Sequence, residues 1–297
     1  MEIIIISGGL GNQLFQYAFY LAKKQYNQNL GQIVINDFSA RRSHNGYELD
    51  RLFGIKASSG FFLQNIVRLV RKLLIFKSIK RFRSLCNMLL SLIKLKVTII
   101  VEEVKVFDEK HLPLKKGFCL YFGLWQTEKY FSDIEKEIRS AFTFDRKAIS
   151  QKTSDVLSSI ENTDSVSIHI RRGDYLWKEN EKLYENICTL SYYEEAIAKI
   201  KNSIESPTFF VFSDDINWTK ENISIPNPIY IDWNTSKDAW QDMFLMSQCK
   251  HNIIANSTFS WWGAWLNRSS EKIVIAPTHF LNGIQTPDLI PDKWSTI

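Results

Sequence analysis

The chain has 297 residues, 45% hydrophobic and 23% charged, an ordinary composition for a globular protein long enough for two medium domains. Its net charge of +5 is unevenly spread, since residues 51–101 hold eleven Lys or Arg and no Asp or Glu. No apolar stretch approaches the roughly 20 residues of a membrane-spanning helix, the run after Met1 lacks the basic leader of a signal peptide, and the four cysteines (Cys86, Cys119, Cys188, Cys249) form no Cys-x-x-Cys pair. These features speak against a spanning protein, a disulfide scaffold or a zinc site, and point to a cytosolic chain with free thiols.

The first half opens with a strand over Ile3–Ile6, a glycine-rich turn, and a helix running to about Lys24. A second strand, Ile33-Val34-Ile35, ends at Asn36-Asp37. Next comes the basic block, where Leu63, Ile66, Leu69 and Leu73 mark an apolar stripe at helical spacing beside Arg68, Arg71 and Lys72. A basic amphipathic stretch of this kind is either a solvated face or a contact with an anionic membrane surface. No nucleic-acid-binding motif accompanies the charge, so no nucleic-acid partner is expected. A strand over Phe118–Phe122 and a helix near Ser132–Ala141 follow, and residues 145–164 read as a helix linking to the second half.

The second half is more regular. Apolar runs of strand length recur at Val166–Ile170, Thr208–Phe212, Ile229–Ile231, Ile253–Ala255 and Ile273–Ala276. Helical patterns lie between several of them, at Ser191–Asn202, Lys237–Cys249 and Phe259–Leu266. Alternation of this kind predicts parallel sheets covered on both faces. Ligands of such sheets bind just beyond the carboxyl ends of the strands.

Three of those ends are polar. The first carries His169, Arg171, Arg172 and Asp174; the second runs into Asp214 and Asp215; the third runs into Asn256-Ser257-Thr258 and an apolar helix beginning at Phe259. Ser257 or Thr258 suits an N-cap, and the amides around Phe259 and Ser260 would then be donors at the positive end of a helix, a natural phosphate site. Arginine offers a planar fork for phosphate. In an extended chain Arg171 and Arg172 face opposite ways, so one would reach a ligand and the other would pair with Asp174 or a neighbouring carboxylate. Asp214 and Asp215 suit a guanine edge or a ribose. The competing bland readings are a surface ion-pair cluster and a plain helix cap.

The N-terminal turn, Ser7-Gly8-Gly9-Leu10-Gly11-Asn12-Gln13, also follows a strand and opens a helix. It departs from the dinucleotide fingerprint, lacking the third glycine, so hydride transfer is disfavoured. Asn12 and Gln13 there would either face a ligand or cap the helix.

Taken together, Gly8–Ala18, His169-Ile170-Arg171-Arg172-Gly173-Asp174-Tyr175 and "HNIIANSTFSWWGAWL" at 251–266, with weaker matches at 121–131 and 242–251, resemble the bacterial α-1,2-fucosyltransferases. The resemblance implies transfer of L-fucose from GDP-fucose, with inversion, to the 2-OH of a terminal galactose on a glycan, in surface polysaccharide or O-antigen synthesis. It implies two Rossmann-like α/β domains facing across a cleft (the GT-B type) and no metal. The expected division is an acceptor-side domain over 1–155, with a basic helical insertion at about 60–100, and a GDP-fucose-binding domain over 156–297. The Arg171 position would contact the donor pyrophosphate, and Ser257-Thr258-Phe259 would form a phosphate-binding turn. Asp37 and Asp174 are the candidate general bases. A lipid-linked acceptor at the inner membrane face would account for the basic block. The rivals are a transferase for another sugar nucleotide and a non-enzymatic binding protein that uses Arg172-Gly173-Asp174 or the basic block.

Overall fold

The computed structural model describes residues 1–26, 33–35, 45–58, 64, 65, 68, 97–102 and 106–297. Its contacts separate two units, Met1–Thr143 and Phe144–Ile297. The first begins with β1 (Glu2–Ile6), turns into α1 (Leu10–Tyr26), and continues through β2 (Ile33–Ile35), α2 (Leu49–Phe53), β3 (Val97–Val101), β4 (Phe118–Phe122) and α3 (Glu135–Ala141). The strands form one parallel sheet in the order β2-β1-β4-β3. Ile3, Ile4, Ile5 and Ile6 are all buried, as a central parallel strand covered on both faces requires. α1 buries Leu10, Leu14, Phe15, Ala18, Phe19 and Ala22, spaced three or four apart along one stripe. Phe19 stacks on Trp125 with ring centres 4.2 Å apart.

At the edge where β1 begins, Lys23 and Glu2 form a fully buried ion pair at 3.3 Å. The Lys23 ammonium also donates to the carbonyls of His111 (2.7 Å) and Leu112 (3.1 Å). Glu2 accepts from the Tyr121 hydroxyl (2.5 Å) and the Lys115 amide (3.1 Å). Burial lowers the Lys23 pKa below its ordinary value, against the opposing pull of Glu2.

The second unit runs α4 (Gln151–Glu161), β5 (Asp164–Ile170), α5 (Glu181–Tyr184), α6 (Leu190–Ser203), β6 (Pro207–Ser213), α7 (Ile216–Asn222), β7 (Pro228–Ile231), α8 (Trp240–Gln248), β8 (His251–Ile253), α9 (Thr258–Leu266), β9 (Val274–Ala276) and β10 (Ser295–Thr296). Its sheet is parallel, ordered β10-β9-β8-β5-β6-β7. One face of β5 (Val166, Ile168, Ile170) packs with Tyr193, Ala196, Ile197 and Ile200 of α6. The alternate residues are polar, and the two serines are satisfied internally: Ser165 Oγ accepts from the Lys250 amide (3.1 Å) and Ser167 Oγ from Asn252 Nδ2 (2.7 Å). Ile168 pairs with Ile253, and Ile170 with Ser213, so the carboxyl ends of β8, β5 and β6 lie side by side.

The unit boundary falls earlier than the expected 155/156. The reason is α4, which is tied into the second unit: the Ser150 amide donates to Gln241 Oε1 (2.8 Å) and Thr153 Oγ1 to Asn234 Oδ1 (3.2 Å). β8 also differs, occupying 251–253 rather than 253–255. Asp37 and most of the basic block, residues 59–63, 66, 67 and 69–96, lie outside the described residues. Among the described residues, no helix is long and apolar enough to cross a membrane.

Candidate functional site

At the end of β5 the chain turns into a short 3-10 helix over Gly173–Leu176, and two arginines meet three carboxylates there. Arg171 pairs with Asp174 Oδ1 at 2.6 Å and with Asp214 Oδ2 at 2.8 Å. Burial opposes the guanidinium charge, but Asp214 and then Asp174 outweigh it, and the Arg171 pKa is held above its ordinary value. Asp214 Oδ1 also accepts from the Arg172 amide at 2.9 Å, which fixes the backbone between the two arginines. Gly173 is required by this packing, because a Cβ there would stand 2.5 Å from Asp214 Oδ2.

Arg172 takes a separate seat. Its Nε lies 3.3 Å from Asp215 Oδ2, and its guanidinium sits 3.5 Å from the centre of the Trp218 ring. Such stacking suits arginine over lysine. Asp215 Oδ1 meanwhile accepts from the Trp218 amide (3.2 Å) and caps α7. Of the two carboxylate partners that the sequence allowed for the second arginine, Arg172 takes the neighbouring one, Asp215, and stacks on Trp218, while Asp174 pairs with Arg171. Asp214 and Asp215 face these arginines. Trp218 was not among the anticipated residues. Asp215 three positions before it is an N-cap signal that would have started a helix there and placed the indole.

His169 is buried behind the cluster. Burial first, and then the Arg171 charge, push its pKa down to about 3, so the ring is neutral. Its Nδ1 is buried and has no hydrogen-bond partner among the described residues. The Phe259 ring, at the start of α9, lies 6.0 Å away.

The third strand end is more heavily committed than the sequence implies. Ser257 is the N-cap of α9 as expected, but its Oγ already accepts from the Phe259 amide at 3.3 Å. That amide is therefore occupied rather than a free donor. Asn256 is buried, with Nδ2 donating to the Phe280 carbonyl (3.2 Å) and Oδ1 facing Cys188 Sγ (3.5 Å). Its carbonyl accepts from the Tyr175 hydroxyl at 2.8 Å. Asn256 is thus a brace joining the third strand end to the 3-10 turn of the first, and Thr258 begins the helix it leads into.

The glycine-rich turn of the first unit is equally occupied. Gly8 has φ +79°, and a Cβ on it would meet Asn12 Nδ2 at 2.8 Å. Asn12 Oδ1 accepts from Gln126 Nε2 at 2.8 Å. Gln13 is buried and bridges the turn to the segment before α2, donating to Gly8 and Gly46 carbonyls and accepting from the Glu48 amide. Gln13 is a structural strut in this geometry.

One further acid stands out. Asp242, in the first turn of α8, is pushed up to about 7 by burial, against the Asn234 amide that donates to it at 2.8 Å. A lone Asp in a first helical turn is common, so the sequence offers no signal for it. Between about pH 4 and about pH 7 the unfolded chain has released this proton while the folded chain retains it, so stability falls as pH rises through that window. Asp242→Asn is expected to flatten part of that decline, read from denaturant midpoints at both ends of the window. Equal slopes in the two proteins would assign the proton elsewhere. Among the described residues, no group of three or more His, Cys, Asp or Glu is placed to hold a metal ion.

The chain matches the model of a family described as glycosyl transferase family 11 over residues 1–284. It is 33% identical to an alpha-1,2-colitosyltransferase of Escherichia coli, with 100% of this chain and 99% of that protein covered. It is 32% identical to the O-antigen biosynthesis glycosyltransferase WbnK of Escherichia coli over 97% and 98% of the two chains. Similarity to galactoside alpha-(1,2)-fucosyltransferase 1 of Saimiri boliviensis boliviensis is 27% and covers 56% of this chain and 48% of that one. Among solved structures, fucosyltransferase NodZ from Bradyrhizobium shares the fold, with a TM-score of 0.51 at 13% identity over 88% of this chain and 91% of that one. With two parallel α/β units and a family match across nearly its whole length, the chain is a glycosyltransferase of the GT-B fold class and belongs to glycosyl transferase family 11.

Proposed function

We propose that the chain transfers L-fucose from GDP-fucose to the 2-OH of a terminal galactose, with inversion, during assembly of a surface polysaccharide. The observation that carries this reading is the Arg171–Arg172 pair, fixed by carboxylates at the shared carboxyl edge of β5, β6 and β8. Full-length similarity to α-1,2-transferring and O-antigen enzymes supports the linkage and the context.

The chemistry follows from charge. Breaking the sugar C1–O bond leaves negative charge on the β-phosphate and positive character on the ring. Two carboxylates hold the Arg171 fork in place, and its remaining N–H groups meet the departing phosphate. A donor fixed before the reaction needs no reorganisation as charge develops. Arg172, stacked on Trp218, supplies a second cation beside it. Ser257, Thr258 and Phe259 form the wall of the donor site, with His169 behind it as a neutral ring. Of the two candidate bases, Asp174 lies 2.6 Å from Arg171 and suits positioning of that arginine. Asp37 lies outside the described residues and keeps its candidacy on the sequence alone. The donor half of the reading belongs to the second unit and most of the acceptor half to the first, where Asn12 at the glycine-rich turn is a candidate ligand contact.

Thermal stability in EDTA with GDP, UDP, ADP and NAD in turn tests the donor. A nucleotide at 100 times its dissociation constant adds about 2.7 kcal/mol of apparent stability. Selective stabilisation by GDP, followed by transfer from GDP-fucose to lactose with an α-1,2 product, is the expected outcome. A second reading, transfer of colitose to the same hydroxyl, is favoured by the 33% full-length identity to the colitosyltransferase. It predicts stabilisation by GDP with slow turnover of GDP-fucose. Stabilisation by UDP alone would overturn both.

A further inference from the structure

We propose that Trp177, with Leu176 beside it, is the surface on which the acceptor sugar lays its apolar face; the proposal rests on the galactoside-transfer reading above. The chain has nine tryptophans, and Trp177 is the one classed as exposed, at 49%, with Leu176 at 56%. The others are buried or half-buried. An indole left in water costs hydrophobic stabilisation, and a flexible chain would fold it away. Here the backbone is not free to do so.

The turn carrying Trp177 is pinned on every side. The Trp177 amide donates to the Asp174 carbonyl at 3.3 Å, and its own carbonyl accepts from the amides of Asn180 (2.7 Å) and Glu181 (2.9 Å). Asn180 Nδ2 donates to the same Asp174 carbonyl at 2.9 Å. Tyr175, two residues earlier, points inward: its hydroxyl donates to the Asn256 carbonyl (2.8 Å) and its ring stacks on Tyr184 at 4.0 Å with planes 7° apart. Tyr175 inside and Trp177 outside make the turn a rigid shelf with an aromatic top.

Its place along the chain selects the occupant. Asp174, whose carbonyl receives the Trp177 amide, carries the carboxylate that holds Arg171. The shelf thus begins at the residue that positions the proposed phosphate anchor. A galactopyranose ring presents a patch of C–H groups on one face and hydroxyls around its rim. Trp177 offers a flat apolar face for the first, and the exposed polar neighbours Lys178 and Glu179 offer hydrogen bonds for the second. A docked acceptor would then present a hydroxyl toward the Arg171 end of the turn.

The test compares Trp177→Ala and Trp177→Phe in the full chain, with GDP-fucose as donor and lactose as acceptor. The alanine variant is expected to raise the lactose KM about tenfold, the scale of one aromatic face contact. The GDP-fucose KM, the stabilisation by GDP and the unfolding midpoint should stay at wild-type values, and phenylalanine should restore most of the loss. An unchanged lactose KM overturns the proposal. So does a joint shift of both KM values and the midpoint, which would mark Trp177 as packing. Saturation-transfer NMR of lactose on the GDP-loaded protein gives a readout that needs no turnover. Loss of the lactose signal in the alanine variant and its retention in the phenylalanine variant supports the proposal. A signal equal in wild type and Trp177→Ala sinks this proposal alone, while no signal in wild type sinks it together with the galactoside reading. If Trp177→Ala instead loses binding to phosphatidylglycerol vesicles with the lactose KM unchanged, the shelf is a membrane contact and the proposal falls.

Discussion

Arg171→Ala is expected to lower turnover by about a hundredfold to a thousandfold, the measured scale for losing one preorganised donor at a developing negative charge. The effect should appear in kcat at saturating donor, because in the proposed mechanism the charge facing Arg171 grows as the sugar–phosphate bond breaks. The fold should survive. The guanidinium is 31% exposed, so water can reach Asp174 and Asp214 once it is removed, and the stability cost should be small beside the loss of turnover. Arg171→Lys keeps the charge but cannot span two carboxylates with one planar fork, so it should recover only part of the loss. Circular dichroism and an unfolding midpoint on the same preparations separate a lost donor from a lost fold. Wild-type turnover in the alanine variant would remove Arg171 from the chemistry.

Lys23→Met is expected to have the largest effect on stability, about 3–5 kcal/mol, with the site chemistry untouched. Methionine matches the length of the lysine stem, so the loss comes from charge rather than from volume. The substitution strands the Glu2 carboxylate in the core with Tyr121 and Lys115 as its remaining partners. It also leaves the His111 and Leu112 carbonyls without their ammonium donor. Urea or thermal unfolding measures the effect, and a fall in the midpoint of roughly 10 °C is the expected size for a unit this large. Adding Glu2→Gln to Lys23→Met should recover part of the loss by removing the orphaned charge. A midpoint within a degree or two of wild type in the single variant would show that the pair contributes nothing.

Much of the second unit was readable because its strands are apolar runs bounded by polar turns, as at Val166–Ile170 and Thr208–Phe212, which became β5 and β6. Reading failed where polarity and burial part company. β8 begins at His251 and Asn252, which look like loop residues. Both are buried, with Asn252 donating to Ser167 and His251 accepting from the Ile273 amide, and those cross-strand partners are invisible in a linear chain. β3 was missed for the opposite reason: Val97–Val101 follows directly on a basic, helical-looking stretch that masks it. At the site, the strand-end rule placed Arg171, Arg172, Asp174, Asp214 and Asp215 at one edge. The pairing among them was not readable, because it depends on a turn after β5 that brings Asp174 back onto Arg171. Gln13 and Asn256 show the same limit. Their side chains suit ligands and backbone carbonyls equally well, and only the fold decides between the two.

Where the enzyme could change its substrates follows from the packing of α9. Trp261 and Trp262 are fully buried, Trp261 Nε1 donates to the Leu289 carbonyl at 2.7 Å, and a Cβ at Gly263 would meet Met246 Cβ at 2.8 Å. From Ser260 to Leu266 this helix has no slack, so a larger side chain there would collide with the core. The turn over Gly173–Leu176 and the residues after it have open space on their outer side, with Leu176, Trp177, Lys178 and Glu179 exposed. If Trp177 carries the acceptor as proposed, directed evolution toward other acceptors has its room on that turn, while the packed body of α9 stays the same.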